Sequence, residues 1–160
     1  MSSSPSPYVV RAIEPSDHAA WLGLWRGYCD FYQVTIPEHV TNTTWGRILG
    51  ADHPIYALLA TSSSTGAAAG FANYVLHPFT WSERPACYLE DLFVRSELRG
   101  SGVGYALLQH LMGLSLERHW GRVYWTTREN NHAARRLYDR FCLPDGFVRY
   151  VVSFDGALPD

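Results

Sequence analysis

Tyr88-Leu89-Glu90-Asp91-Leu92-Phe93-Val94, a polar link over 95–98, then Arg99-Gly100-Ser101-Gly102-Val103-Gly104: the architecture of the chain turns on this stretch. Its first part reads as a strand. Its end is a glycine-rich turn that opens a helix, because Val103, Leu107, Leu108, Leu111, Met112 and Leu114 fall on one apolar stripe. Such a turn is a site for an anion. The first amides of a helix have no intrahelical acceptor, and the helix dipole favours negative charge there. Glycines at 100, 102 and 104 remove side chains that would hold a pyrophosphate away from the backbone. The Gly-Lys-Ser/Thr of a P-loop is absent, and the spacing does not match the dinucleotide fingerprint.

Upstream, residues 8–13 form an apolar run and a first strand, and Glu14-Pro15-Ser16-Asp17 makes a turn and helix cap. Trp21, Leu24, Trp25 and Tyr28 recur at helical spacing over 18–28. A second helix runs from Pro37 to about Leu49, with Val40, Trp45, Ile48 and Leu49 as its expected buried residues. Strands are expected at 55–60, 68–76 and 86–94, the first two joined by a hairpin loop in the polar run 61–66. Downstream of the glycine turn and its helix come a strand at 122–127, a helix at 131–141 and a last strand at 147–154. The order β-α-α-β-β-β-α-β-α-β describes an α/β (α+β) protein, a mixed central sheet flanked by helices.

Composition narrows the classes of partner. With 160 residues, 47% of them hydrophobic, the chain suits one domain over 8–160 behind a flexible tail at 1–7. Thirteen basic against fifteen acidic residues give a net charge of −2, so no basic field for nucleic acid is implied and an anionic ligand must be captured locally. Cys29, Cys87 and Cys142 match no metal-ligand spacing, nor do the seven histidines, His77, His110, His119 and His132 among them, so no metal is expected. The sparse cysteines, the polar tail without an apolar signal region and the lack of a run of about 20 apolar residues point to the cytoplasm or nucleus, with no membrane partner.

Arg99-x-x-Gly102-x-Gly104 resembles the R/Q-x-x-G-x-G/A coenzyme A signature of the GNAT superfamily of N-acetyltransferases. The family's usual surroundings accompany it: Leu89-Glu90-Asp91-Leu92-Phe93-Val94 before it and Asn131-x-x-Ala134-x-x-x-Tyr138 after it. The segments 88–94 and 131–138 are similar to diamine acetyltransferases. Trp25-x-x-Tyr28-x-x-Phe31-Tyr32 with Thr44-Trp45-x-Arg47 is similar to small enzymes that acetylate histones, polyamines or D-amino acids. The resemblance implies the GNAT fold and an enzyme that uses acetyl-CoA as cosubstrate. It implies that the backbone of Leu92, Phe93 and Val94 pairs with the pantetheine arm, placing the thioester beside Glu90. Arg99, Gly100, Ser101, Gly102, Val103, Gly104 and Tyr105 would hold the pyrophosphate. Asn131 would bond the pantetheine, His132, Ala133 and Ala134 would line it, and Tyr138 would stand by the sulfur.

Helical spacing independently places residues 131, 134 and 138 on one face, with Arg135, Arg136 and Asp139 mostly elsewhere. The chemistry needs two proton movements. A lysine-like amine of pKa ~10.4 is neutral at pH 7 only at about 4.6 kcal/mol, so a base is needed, and Glu90 is the acid placed for it besides Asp91. The departing thiolate needs a proton, which the phenol of Tyr138 supplies. Strand alternation would set Glu90 and Asp91 on opposite faces. Trp25, Tyr28 and Tyr32, with Asp91, are candidates for the acceptor side, although at helical spacing the aromatics read first as packing. The expected acceptor is a small-molecule primary amine, such as a polyamine or amino acid. The alternatives are a protein lysine or N-terminus, or a non-catalytic acyl-CoA-binding module, against which the presence of both Glu90 and Tyr138 argues. A single strand after the last helix would leave an open sheet edge, so a homodimer or larger homo-oligomer is expected.

Overall fold

Alternating runs build the strands and apolar stripes build the helices, in the expected order as far as the last helix. The computed structural model describes residues 6–154. They form β1 (Tyr8–Ala12), a 3₁₀ turn (Pro15–Asp17), α1 (His18–Tyr32), α2 (Glu38–Leu49), β2 (Ile55–Ser62), β3 (Ala68–Phe79), β4 (Ser82–Val94), a second 3₁₀ turn (Ser96–Leu98), α3 (Val103–Glu117), β5 (Arg122–Tyr124) and α4 (His132–Tyr138). The chain divides into two compact units, Met1–Tyr124 and Trp125–Asp160. All five strands lie in the first.

The sheet order is β1-β2-β3-β4-β5. The first four strands are antiparallel neighbours, and β5 runs parallel to β4 after the crossover through α3. Register assigns the faces. Leu59, Phe71 and Phe93 are cross-strand partners on one side, and Leu58 and Ala72 are partners on the other. On the first face Ala57, Leu59, Phe71 and Phe93 pack with Trp21, Leu24, Trp25 and Cys29 of α1 and Ile48 of α2. Gly27 is what lets α1 close on the sheet, since a Cβ there would sit 2.8 Å from Phe93 Cζ. On the second face Leu58, Ala60, Ala72 and Leu89 are buried, as are Val103, Leu107, Leu108 and Leu111 of α3, which packs along the sheet from β1 to β5. The start of α1 is set by charge. Arg11 Nη1 and Nη2 donate to the Asp17 carboxylate at 2.6 and 2.8 Å, and Asp17 also accepts the Glu14 N–H at 2.8 Å.

Four expectations need correcting. In α2, Val40 and Leu49 are exposed while Thr41 is buried, because the Thr41 hydroxyl accepts Trp25 Nε1–H at 3.1 Å. β5 ends at Tyr124 rather than 127, and α4 spans seven residues rather than eleven. The strand expected at 147–154 is not formed, and Phe147, Val148, Tyr150, Val152 and Phe154 are exposed. A strand exists only as a ladder with a neighbour, and among the described residues the second unit contains no other strand to offer one.

Candidate functional site

The glycine turn adopts the backbone that its sequence demands. Gly100 and Gly102 have φ of 82° and 99°, the left-handed region where a Cβ is strained. Gly102 caps α3 and its carbonyl accepts the Ala106 N–H at 2.9 Å. The Arg99 and Ser101 N–H groups donate back to Ser96 O and Leu98 O. The amides at the start of the helix, those of Val103 and Gly104, lie beyond the reach of intrahelical acceptors. A Cβ built on Gly102 meets nothing within 4 Å. The Arg99 guanidinium lies 4.7 Å from the Phe31 ring centroid at the end of α1, and 5.9 Å from that of Phe93. Ser101 Oγ donates to Leu98 O at 2.6 Å and meets Tyr8 Oη at 2.7 Å, which ties β1 to the turn.

β4 is paired unequally on its two edges. Its ladder with β3 continues to Val94, whereas its ladder with β5 ends at Tyr88↔Tyr124. Within the first unit the β5-side edge at Leu92, Phe93 and Val94 thus has no described strand partner. A thioester cosubstrate with a pyrophosphate at one end and an amide-bearing arm fits this donor set: helix-first-turn amides for the anion and a strand edge for the amides.

The register also slips within β4. Asn73 pairs with Asp91 but Tyr74 pairs with Leu89, which makes Glu90 the extra residue of a bulge. Plain alternation would have put Asp91 with Leu89 on the α3 face. The bulge instead turns it to the α1 face, in line with Tyr88 and Phe93. There Asn73 Nδ2 donates to Asp91 Oδ2 at 2.9 Å, and Trp21 Nε1–H reaches Asn73 Oδ1 at 3.4 Å. The Tyr28 phenol donates to the same carboxylate. Burial pushes the Asp91 carboxyl above its usual range, and the bonds from Tyr28 and Asn73 only partly oppose this. Burial, then the Asp91 charge, likewise raises Tyr28, so this phenol keeps its proton. Tyr32 stands beside Tyr28 at 4.8 Å between centroids. Trp25 is buried, stacked on Trp21 at 5.4 Å and on Tyr28 at 5.4 Å, and forms the wall behind this group rather than its surface. Glu90 is exposed, and its charge acts on both Tyr28 and Tyr124.

Two further groups on this face were not picked out from the sequence. Asn73 had a signal, as the polar residue inside the apolar run Phe71-Ala72-Asn73-Tyr74-Val75. The other is the pair His77 and Tyr124, whose Nε2 and Oη are 2.7 Å apart although the residues are 47 positions apart in sequence. His77 Nδ1 sits 2.8 Å from Pro78 O, which can only accept. In the neutral imidazole Nδ1 therefore carries the hydrogen, and Nε2 accepts from the Tyr124 hydroxyl.

In the second unit Asn131 caps α4: its Oδ1 accepts the Ala134 N–H at 3.2 Å. Ala134 and Tyr138 follow on the helix, with the Tyr138 ring 5.3 Å from that of Trp125. His132 and Ala133 are exposed. An open hollow of about 540 Å³ is lined by Glu129, Asn130, His132 and Arg135.

The model of the acetyltransferase (GNAT) family matches residues 21–142. A D-amino-acid N-acetyltransferase of Saccharomyces cerevisiae is 35% identical over 142 residues, covering 89% of this chain and 88% of that protein. Among solved structures, a probable acetyltransferase superposes with a TM-score of 0.82 at 20% identity, over 91% of this chain and 97% of the other. AAC(6')-Iy in complex with the bisubstrate analogue CoA-S-monomethyl-acetylneamine gives 0.77 at 19% identity, over 92% and 97%.

Proposed function

Since the chain belongs to the acetyltransferase (GNAT) family and is an acetyl-CoA-dependent N-acetyltransferase, we propose that its acceptor is the primary amine of a small molecule, an amino acid or a polyamine. The observation that carries this reading is the carboxylate of Asp91, turned by the bulge onto the α1 face and bonded by Tyr28 and Asn73. A partly buried acid with Tyr28 and Tyr32 beside it suits one compact cationic amine. The relative that acts on D-amino acids supports the same class.

In this reading the first-turn amides of Val103, Gly104 and Tyr105, with Arg99, Gly100, Ser101 and Gly102, hold the pyrophosphate. The edge of Leu92, Phe93 and Val94 takes the pantetheine, which Asn131, Ala133 and Ala134 also line. Bound acetyl-CoA supplies the activated acetyl group and a thiolate leaving group. Glu90 Oε takes the acceptor's proton, directly or through a water. Tyr138 Oη gives a proton to the departing sulfur. The family match crosses the boundary at Tyr124, which supports one catalytic domain over 8–160. No helix among the described residues is long and apolar enough to cross a membrane, consistent with a cytoplasmic or nuclear enzyme. The exposed apolar side chains at 147–154 support a homodimer, and light scattering that gives a monomer mass would remove that part of the reading.

The test is release of free thiol from acetyl-CoA with a panel of D- and L-amino acids, spermidine and a lysine-containing histone-tail peptide. Turnover is expected with the free amines and little with the peptide. A faster peptide would move the acceptor to protein, and thiol release with none would leave a binding module. For Tyr138→Phe, kcat should fall by about 10²–10⁴ with acetyl-CoA affinity by calorimetry nearly unchanged.

A further inference from the structure

The bulge at Glu90 and the end of the β4–β5 ladder bring a second set of proton-carrying groups to the α1 face. Val75 pairs with Tyr88 and Tyr88 with Tyr124, and Val75 lies two residues from both Asn73 and His77 on β3. Asp91, Tyr88, Tyr124 and His77 therefore share one face of the sheet. The Tyr88 and Tyr124 rings are 4.9 Å apart, and the His77 ring stands at 88° to that of Tyr124. Arg122 lies over Tyr124 at 4.9 Å and over Phe79 at 4.5 Å. Among the described residues, the titratable and charged groups that act on Tyr124 include His77 from β3, Arg122 from β5, and Tyr88, Glu90 and Cys87 from β4.

The hydrogen bonds give this group a direction. Pro78 O holds the hydrogen of His77 on Nδ1, so Nε2 is an acceptor and the Tyr124 proton points at it. A phenol whose proton is committed in this way has its remaining lone-pair capacity as an acceptor. Imidazoles are also better matched than carboxylates to holding a proton near neutral pH, their ordinary pKa being about 6.5 against ~4.3 for a glutamate. A carboxylic acid that has just taken a proton from an amine passes it downhill to an imidazole.

We infer that Tyr124 and His77 form the route by which the acceptor's proton leaves Glu90. The proton on Glu90 Oε passes to Tyr124 Oη, directly or through a water, as the Tyr124 proton passes to His77 Nε2 across their 2.7 Å contact. One Glu90 O–H bond breaks and one Tyr124 O–H bond forms, while the original Tyr124 O–H breaks and an Nε2–H forms. Glu90 is again a carboxylate, Tyr124 again a neutral phenol, and the His77 imidazolium discharges to solvent. Tyr124 and His77 act through Glu90, so both are positioning and relay residues. This inference rests on the acetyl-transfer reading and on Glu90 as its first base.

Four variants separate the two readings: Glu90→Gln, Tyr124→Phe, His77→Gln and the Tyr124→Phe/His77→Gln double. Each is assayed with acetyl-CoA and the best amine of the panel from pH 6 to pH 10. Tyr124→Phe and His77→Gln should each lower kcat/KM about 10²-fold at pH 7, the low end for lost acid–base help. The loss should shrink to a few-fold near pH ~10, where the neutral fraction of a lysine-like amine of pKa ~10.4 is roughly a quarter, several hundred times that at pH 7. The double variant should lose no more than either single one, because one route is removed only once. Imidazole ¹⁵N spectra of the protein without acetyl-CoA should show His77 as the Nδ1–H tautomer, with the Nε2 resonance moved by Tyr124→Phe. A His77 in the Nε2–H form, or losses equal at all pH values, would overturn the relay. Normal rates in both single variants while Glu90→Gln is impaired would overturn the relay alone. A normal Glu90→Gln enzyme would overturn the base assignment and the relay together.

Discussion

The two faces of the sheet are built from different materials. Beneath α3 the contacts are mainly aliphatic: Leu58, Ala60, Ala72, Leu89, Val103, Leu107, Leu108 and Leu111 are all buried, with Tyr74 beside Trp120 as the aromatic exception. Beneath α1 the core is aromatic, and threaded with polar groups: Trp21, Asn73, Asp91 and Tyr28 form one hydrogen-bonded line. Among the described residues, only the α1 face carries a hydrogen-bonded carboxyl group, that of Asp91. The α3 face holds the glycine turn in place and needs nothing from its side chains except volume. If the proposed acceptor site lies on the α1 face, stability and chemistry fall there on the same residues, and a change should register in both.

Three substitutions sharpen or break that contrast. The largest effect on stability is expected from Leu107→Ala, which empties a fully buried site against the sheet. Denaturant unfolding should show a loss of about 2–5 kcal/mol, while kcat of the folded fraction stays near wild type. A large fall in kcat without loss of stability would mean that the aliphatic face is not passive. Next comes Asn73→Leu, similar in volume but unable to bond Trp21 or Asp91. Leaving Asp91 one donor short should remove roughly 1–3 kcal/mol and raise KM for the amine. Unchanged kinetics would confine the polar line to a structural role.

The smallest effect belongs to Asp91→Asn and appears as a pH dependence. The folded-state pKa of Asp91 is raised, so its protonated form is favoured by folding. That contribution is fully present below the unfolded value of ~3.9 and is lost as pH rises through the folded value. Asp17 behaves oppositely. The hydrogen bond from Arg11 holds its carboxyl below the usual range, so its contribution is present above the unfolded value and is lost as pH falls through the folded one. Urea midpoints for the wild type and Asp91→Asn, measured from pH 3 to pH 8, should diverge as pH rises, with the variant gaining. Parallel curves would show that Asp91 is not the buried acid of this face.

What could be read from the sequence follows from how local each signal is. Gly100 and Gly102 were legible because left-handed backbone is a demand on single residues. The stripe from Val103 to Leu111 and the set Trp21, Leu24 and Trp25 were legible because one helix defines its own face. Thr41 was not, because only a Trp25 indole from another helix makes its burial favourable. Which face Asp91 takes was not legible, because the register shift at Glu90 decides it and alternation carries no mark of a bulge. His77 and Tyr124 meet through the register of three strands, which no window of sequence contains. The run at 147–154 has the composition of a strand, but strand formation depends on a neighbour as well.

The contact between Tyr8 and Ser101 has a practical side. The hydroxyl of the first residue of β1 sits 2.7 Å from a side chain in the middle of the glycine turn. Anything fused just ahead of Tyr8 is attached, in effect, to the doorstep of the turn. An affinity tag placed there should disturb cosubstrate capture more than the same tag with a long spacer, and a protease that trims past Tyr8 should cut the turn's tether without touching a single glycine.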